Sequence, residues 1–286
     1  MTIRNFQKAF SLIELSIVIL IIGILIAGIT SARIMVQNSR IISAQNLTKS
    51  SSVSGTENLV VWFETSFEQS FGGNYPSNSE SVAVWYDNNP QSTNKINATQ
   101  NTSQNQPTFR ENIINGIPVL RFVNSSNQFL NMPDGTVPYN NSPYTIFLVS
   151  KTNVLGANGM IGSGNYGFTN QTNAFRYDIN GINNYWWGND IISTGNPIKI
   201  SQFHILTFYY DGSSRRIYVD NSLNIADNPT GNQATNSNNT IGKTVNNEYM
   251  DGDIAEIIIF SRGLKEEERI DITNYLSKKF NIKITS

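Results

Sequence analysis

One acidic side chain lies inside the most apolar stretch of the chain. Glu14 falls within residues 10–29, which are otherwise nearly all apolar. These residues can form a helix of about 30 Å, the hydrocarbon thickness of a bilayer. A carboxylate in such a helix costs about 3 kcal/mol to insert and is seldom kept without a partner or a role. The residue types therefore predict a membrane helix whose acid has a partner or a functional role.

Two further acids, Asp253 and Glu256, form the candidate pair for glycoside hydrolysis. Retaining enzymes need two carboxyl groups about 5 Å apart, whereas an offset of three residues places side chains on opposite faces of a regular strand. The spacing therefore disfavours a hydrolase. The alternation predicts one face with Glu256, Ile258 and Phe260 and another with Ala255, Ile257 and Ile259.

Aromatic side chains offer a binding chemistry instead. Sugar rings stack on exposed aromatic faces, and the run Tyr185-Trp186-Trp187 stands out because it contains two adjacent tryptophans. Adjacent strand residues point to opposite faces. We therefore expect one of Trp186 and Trp187 to lie in the core and the other to be more exposed. The sequence does not indicate which of the two is exposed. These three residues are the predicted ligand-binding residues.

Acidic turns are weaker candidates for calcium. The available oxygens belong to Asp134, Asp178, Asp211, Asp251 and Asp253, with the last three favoured. No contiguous calcium-loop pattern is present, and an aspartate in a turn commonly bonds its own backbone. The expectation is no cofactor, with calcium as the alternative.

The composition excludes several other functions. The chain has 286 residues, a net charge of -1, one histidine and no cysteine. The balanced charge gives no case for nucleic-acid binding, and thiolate metal sites are impossible. His204 lies in an apolar strand pattern without a second metal ligand, which indicates a structural role. Low charge and abundant polar turn residues are typical of β structure.

The elements that position these residues follow from the patterning. The membrane helix is predicted over residues 10–48, a Ser-rich, solvated linker over 49–56, and a β-sandwich domain, the head, over 57–286. A C-terminal helix begins near Glu266 and ends near Lys278 and Lys279, whose charges suit the helix dipole. Arg4 and Lys8 predict a cytoplasmic N-terminus with the head across the inner membrane.

The N-terminus resembles type IV pilins and type II secretion pseudopilins. The resemblance covers residues 8–35 and is carried by the run Lys8-Ala9-Phe10-Ser11-Leu12-Ile13-Glu14-Leu15. It implies that residues 1–9 are a leader, that a prepilin peptidase cuts between Ala9 and Phe10 and methylates the new amine, and that Glu14 meets the N-terminus of a neighbouring subunit. Ala9 replaces the usual glycine. A signal peptide cut after Ala32 and a simple signal anchor are the alternatives.

The rest of the chain resembles laminin-G-like domains of the concanavalin A-like superfamily. The resemblance is carried by the runs at 59–63, 84–87, 116–122, 209–220 and 251–260. It implies a mainly β fold, a concanavalin A-like jelly-roll β-sandwich that follows a long transmembrane helix and precedes a short C-terminal helix. It does not select a function, because the superfamily contains lectins, protein-binding modules and glycosidases.

Together these features predict a single-pass bacterial inner-membrane protein that assembles with other pilin or pseudopilin subunits. The head, in the periplasm or on the cell surface, is expected to bind a carbohydrate or a surface protein as part of a minor pilin or adhesin. The alternative is a structural pseudopilin of a type II secretion or DNA-uptake system with no external ligand. A glycoside hydrolase is the least favoured interpretation.

Overall fold

A long helix opens the structure, a computed structural model that describes residues 11–285. Helix α1 spans Leu12–Lys49. Its apolar half is long enough to cross a membrane, with a mean hydropathy of 2.9 and no burial in the most apolar window. Ser11 and Glu14 form a capping box that satisfies two backbone N–H groups at the helix start. This part of the chain fits the predicted membrane helix.

The head is built from strands and closes with a second helix, α2, over Glu266–Phe280. The strands are β1 Leu59–Glu64, β2 Val84–Trp85, β3 Ala98–Thr99, β4 Thr108–Ile114, β5 Ile117–Phe122, β6 Leu130–Asn131, β7 Tyr144–Thr152, β8 Asn158–Gly162, β9 Ala174–Asp178, β10 Gly181–Tyr185, β11 Ile191–Ile192, β12 Phe203–Tyr210, β13 Arg215–Val219, β14 Ser222–Asp227, β15 Thr240–Ile241 and β16 Gly252–Phe260. Short 3-10 turns cover Ser52–Gly55, Glu68–Phe71, Ser103–Asn105 and Asn124–Ser126.

These strands form two antiparallel sheets of eight strands each. The first sheet has the order β14-β13-β12-β7-β16-β5-β4, and β1 pairs with the far half of β16. The second sheet has the order β11-β10-β9-β8-β15-β6-β3-β2. The mainly β sandwich, the long N-terminal helix and the short C-terminal helix are thus confirmed.

The main core lies between the sheets. Alternate residues of each strand point inward, so that Leu148 and Ile257 of the first sheet meet Phe175 and Trp186 of the second. Large rings dominate this core, and Tyr144 packs edge-on against Phe175 with ring centroids 5.8 Å apart. The inner faces are therefore occupied by packing and are closed to a ligand.

Helices cover the outer face of the first sheet. Ile272, Leu276 and Phe280 of α2 pack with Ile258 and other outward-facing residues in a second apolar cluster. Within residues 11–285, both α-helices pack on the side of the first sheet, and neither covers the outer face of the second sheet. The molecule is therefore layered as helices, first sheet and second sheet.

The Ser-rich segment after α1 is packed against the head, which corrects the expectation of a solvated linker. Ala44 and Thr48 of α1 are buried, and Val53 of the following 3-10 turn is fully buried in the α2 cluster. The hydroxyl of Thr48 lies 3.1 Å from that of Tyr275. The amide of Gln45 donates to the carbonyl of Ser66 at 2.8 Å. Apolar burial and these bonds join the helix end to the head.

Candidate functional site

Glu14 stands at the beginning of the membrane helix. Its Oε2 accepts a hydrogen bond from the backbone N–H of Ser11 at 2.9 Å, and Ser11 Oγ accepts one from Glu14 N–H at 3.2 Å. The carboxylate is exposed, which leaves its second oxygen accessible to a neighbouring subunit. Ala9, Phe10 and the leader lie outside the described residues, so the cleavage position stays a prediction.

The acids of β16 are arranged differently from the prediction. The register of β16 against β7 shifts between Ile254 and Glu256, which marks a bulge. Because a bulge breaks the alternation, Ala255 joins Ile258 and Phe260 on the helix-covered face. Glu256 also reaches that side, where it accepts a hydrogen bond from the indole of Trp62 at 2.7 Å. The predicted division of this strand into faces is therefore wrong at Ala255.

Asp253 lies on the same face as Glu256, so the prediction of opposite faces is also wrong. Its carboxylate is completely buried and contacts Arg121 Nε and Lys151 Nζ, each at 2.7 Å. Arg121 and Lys151 lie two residues after Val119 and Val149 in their strands, and both valines are on the helix-covered side. Because every second residue of a strand shares a face, the two cations lie on that side as well. A glycosidase acid must reach the sugar, whereas both carboxyl groups here are buried and held in ion pairs.

Glu256 belongs to a buried charge cluster with Glu64 and Lys279. Lys279 Nζ lies 2.9 Å from Glu64 Oε2 and 2.8 Å from Glu256 Oε2, and all three side chains are inaccessible to solvent. Lys278 and Lys279 lie in the last turn of α2, as predicted, but Lys279 is buried. Its amine points inward because two carboxylates compensate for its burial.

The pKa values of the two carboxyl groups in this cluster are shifted in opposite directions. Burial favours the neutral form of Glu64, but Lys279 and hydrogen bonds from Ser66 outweigh it and lower the pKa of Glu64. Burial raises the pKa of Glu256, and the charge of Glu64 adds to this against the opposing effect of Lys279. The two carboxylates raise the pKa of Lys279 in spite of its burial. The cluster links α2 to β1 and β16.

The candidate calcium ligands are not brought together. Asp211 Oδ1 accepts hydrogen bonds from the backbone N–H groups of Ser213 and Ser214. Asp251 accepts one from the amide of Asn153, and Asp253 is ion-paired as described. Asp178 contacts Arg176 at 2.9 Å. Within residues 11–285, no three acidic or histidine side chains converge as a metal site.

His204 is held in the packing of the head. Its Nδ1 lies 2.7 Å from Asp220 Oδ2, and its Nε2 accepts a hydrogen bond from the backbone N–H of Lys199 at 3.2 Å. Because Nε2 accepts, Nδ1 carries the proton and donates to the carboxylate. Both ring nitrogens are occupied, which fits the structural role expected for this residue.

The aromatic run divides between the two sides of the second sheet. Trp186 is fully buried between the sheets, where its indole N–H donates to Asn173 Oδ1 and the guanidinium of Arg215 lies 4.0 Å above its ring. Trp186 therefore cannot stack on a ligand, which removes it from the predicted binding residues. Tyr185 and Trp187 lie on the outer face, where Tyr185 is buried and Trp187, two residues beyond the end of β10, is partly exposed.

Tyr166, Trp187, Tyr185 and Arg176 form a continuous row on this outer face, which we call the aromatic row. Ring centroids are 4.4 Å apart between Tyr166 and Trp187 and 5.6 Å apart between Trp187 and Tyr185. The guanidinium of Arg176 lies 4.8 Å from the centroid of Tyr185. Such edge-on pairs hold the rings in fixed orientations. Tyr166, which is 44% exposed, is the accessible end of the row.

Backbone strain and unpartnered polar atoms accompany this row. Trp187 has a φ of 58°, a left-handed conformation that is unfavourable for a bulky residue. Arg176 and Asn183 are paired across β9 and β10, yet Arg176 Nε and Asn183 Oδ1 are buried without a hydrogen-bond partner in the described part of the chain. Strain and unsatisfied polar groups tend to occur at functional surfaces.

A groove of about 490 Å³ adjoins the exposed end of the aromatic row. Tyr166 and Phe168 lie at its edge, and the remainder of its lining is mostly asparagine, threonine and the side chain of Lys243. Sequence reasoning missed Tyr166, Phe168 and Lys243. Isolated aromatic residues in an Asn- and Gly-rich loop are weak evidence for a binding site. The contact of that loop with residues 240–247 depends on tertiary structure, which the sequence does not show.

Two family profiles match the chain. The prokaryotic N-terminal methylation motif matches residues 4–30, and the concanavalin A-like lectin/glucanases superfamily matches residues 124–268. The motif implies processing by a prepilin peptidase and assembly with other pilin subunits. A search of curated proteins found no match.

Solved structures share the fold at low identity. A GH54 α-L-arabinofuranosidase is 12% identical with a TM-score of 0.55, over 70% of this chain and 51% of that one. The binding domain of Paraclostridial mosquitocidal protein 1 is 13% identical with a TM-score of 0.52, over 78% and 52%. Trypanosoma rangeli sialidase is 14% identical with a TM-score of 0.43, over 81% of this chain and only 34% of the sialidase.

The family profile covers half of the chain, and the sandwich described above has the corresponding architecture. The chain belongs to the concanavalin A-like lectin/glucanases superfamily and carries the N-terminal methylation motif of type IV pilins.

Proposed function

We propose that this protein is a pilin-like subunit that displays a glycan-binding head. The observation that carries the proposal is the aromatic row on the uncovered outer face of the second sheet, in a chain that also carries the pilin motif. Partly exposed rings beside amide groups suit sugars, which offer apolar ring faces and many hydroxyl groups. The sugar stacks on Tyr166 and Trp187 in this proposal.

The membrane part of the proposal concerns assembly and location. The apolar helix and the motif fit a single-pass inner-membrane protein. We propose that cleavage before Phe10 frees an amine, that Glu14 binds the corresponding amine of a neighbouring subunit, and that the head lies in the periplasm or at the cell surface. The exposed carboxylate at the helix start supports this role for Glu14.

A non-enzymatic head is part of the same proposal. Its support is the burial of Asp253 and Glu256 in separate ion pairs, Asp253 with Arg121 and Glu256 with Lys279 of α2. Neither carboxyl group is placed to protonate a glycosidic oxygen from solvent. Incubation of the protein with the polysaccharides that it binds, followed by chromatography of the products, tests this directly; released oligosaccharides would contradict it.

A glycan array tests the binding proposal. The full-length protein, in phosphatidylcholine nanodiscs, is applied as wild type and as the Trp187→Ala, Tyr166→Ala and Tyr86→Ala variants. Tyr86 is the matched control, because it is also an exposed aromatic residue but lies at a different place, against Gly72. We expect at least tenfold weaker binding for the first two variants and unchanged binding for the control.

Two results would contradict the proposal. Binding of the first two variants at wild-type strength would remove the aromatic row from the site. The absence of any glycan ligand would favour the structural pseudopilin, in which the head contacts only other subunits.

A further inference from the structure

The groove beside the aromatic row contains one charged residue. Its lining consists of amide, hydroxyl and apolar side chains together with Lys243, and none of the lining residues is acidic. Glu248, the acid that accepts a hydrogen bond from Thr244 in this region, is already ion-paired with Arg176. The groove therefore presents a single positive charge among neutral hydrogen-bonding groups.

The ammonium group of Lys243 is held in an unusual environment. Its Nζ lies 3.9 Å from the ring centroid of Phe129 and 5.7 Å from that of Tyr249. Within residues 11–285, its Nζ makes one hydrogen bond, to Asn247 Oδ1, which is long at 3.4 Å. Partial burial lowers the pKa of Lys243, so the charged form is incompletely solvated. In the described chain, the other enclosed lysines, Lys151 and Lys279, each contact carboxylates within 3 Å.

An anion would complete this environment. An ammonium group has three donors, and in the described part of the chain one of them is directed to a protein acceptor. The two rings fix the position of the side chain but contribute only about 1 to 2 kcal/mol, and they leave the remaining donors unmatched. A carboxylate would accept charge-assisted hydrogen bonds from them. Because Lys243 is the one charged residue in the groove lining, its single positive charge matches a ligand with one carboxylate better than a densely sulfated chain.

The rest of the groove suits a sugar ring. Tyr166 and Phe168 are 44% and 59% exposed at its edge, which leaves their faces open for stacking. The side chain of Asn131 is exposed in the lining and can bond sugar hydroxyl groups. We propose that this groove binds a sugar unit that bears one carboxylate, a uronic acid, with Lys243 as the residue that selects the acid. The inference rests on the proposed glycan-binding function and specifies its ligand class.

Matched polysaccharides test the proposal. Full-length protein in nanodiscs is titrated with polygalacturonate, alginate and hyaluronan, each beside its methyl ester, which removes the charge and keeps the sugar. Heparin provides the sulfated comparison. The variants are Lys243→Gln, Lys243→Arg and the control Lys199→Gln, which removes an exposed charge elsewhere. Tryptophan fluorescence checks that each variant is folded.

We expect at least one uronate to bind tenfold or more tightly than its ester. Lys243→Gln should abolish that preference and leave ester binding unchanged, whereas Lys243→Arg should keep most of it and Lys199→Gln all of it. Equal binding of acids and esters, wild-type preference in Lys243→Gln, or stronger binding of heparin than of every uronate would overturn the inference. If neutral glycans alone bind through Trp187, this inference fails and the proposed function stands; if no glycan binds, both fail.

Discussion

Replacement of Lys279 by methionine should strongly destabilise the head. Lys279→Met keeps an unbranched side chain that is one atom shorter, so packing in α2 changes little, but two carboxyl groups lose their shared cation. Glu64 and Glu256 would remain fully buried beside each other. The neighbouring Lys278→Met variant is the control, because Lys278 is exposed on the same helical turn.

The distances set the size of the effect. Lys279 Nζ lies 2.9 Å and 2.8 Å from the two carboxylates. At an effective dielectric constant of about 20, unit charges about 3 Å apart attract each other by roughly 5 to 6 kcal/mol. Much of this attraction offsets the cost of removing the charges from water, so the loss of one partner from a buried pair costs about 3 to 5 kcal/mol. Lys278→Met should cost less than about 0.5 kcal/mol.

Urea unfolding followed by tryptophan fluorescence measures this difference. All four tryptophans lie in the head, so their emission reports head unfolding even in the full-length protein in nanodiscs. With an m value of about 3 kcal/mol/M, Lys279→Met should unfold at a urea concentration roughly 1 to 1.7 M lower than wild type. Equal midpoints for the two variants at pH 8 would refute the reasoning.

The pH dependence provides a second test of the same cluster. The pKa of Glu256 is raised in the folded state above its ordinary value of 4.5. Between these two pKa values the folded state binds more protons than the unfolded state, so the contribution of Glu256 to the free energy of unfolding falls as the pH rises through this range. Without Lys279, burial should raise the pKa of both carboxyl groups. The destabilisation by Lys279→Met should therefore be largest at pH 8 and smaller at pH 5, where the acids can protonate. A difference that does not change with pH would contradict this account.

Four further predictions follow from the membrane helix, the aromatic run and the acidic turns. Mass spectrometry of the native protein should find a methylated N-terminus at Phe10; a start near residue 33 would contradict the pilin motif. Glu14→Ala and Glu14→Gln should both reach the membrane but fail to enter sheared filaments, because both lose the carboxylate while glutamine keeps the capping oxygen. Trp186→Ala should lower head stability by about 3 to 5 kcal/mol and Trp187→Ala by less than about 1 kcal/mol, as measured by urea unfolding followed by far-UV circular dichroism. Addition of calcium or EDTA should leave the melting temperature unchanged; a calcium-dependent rise would reopen the aspartate turns as ligands.

Local sequence patterns predict much of this architecture. The apolar run and Glu14 are contiguous, so the membrane helix and the pilin motif can be recognised without tertiary information. Alternation places Trp186 and Trp187 on opposite sides, and Ile182, four residues before Trp186 on the same side, points into the core. This even spacing between Ile182 and Trp186, with Ile182 in the core, is the feature of the sequence that identifies Trp186 as the buried tryptophan.

The errors occur where distant segments meet. The bulge at Ala255 and Glu256 depends on the pairing of β16 with β7, and no residue in the strand marks it. Lys279 is an ordinary helix-end lysine by sequence, and its burial requires Glu64, which lies in β1. The Ser-rich segment is polar in composition, yet its residue Val53 packs in the apolar cluster that includes α2. Tertiary contacts override local preference in each case.

The layer order relates the stalk to the proposed binding surface. The end of α1 and all of α2 pack on the first sheet, so both helices lie on one side of the sandwich. The aromatic row and the groove at Lys243 lie on the outer face of the second sheet, on the opposite side. Hydrogen bonds from Gln45 and Thr48 fix the helix to the head over its last turn. In an assembly whose subunits meet through α1, we therefore expect this face to point away from the helical core, where a ligand can reach it.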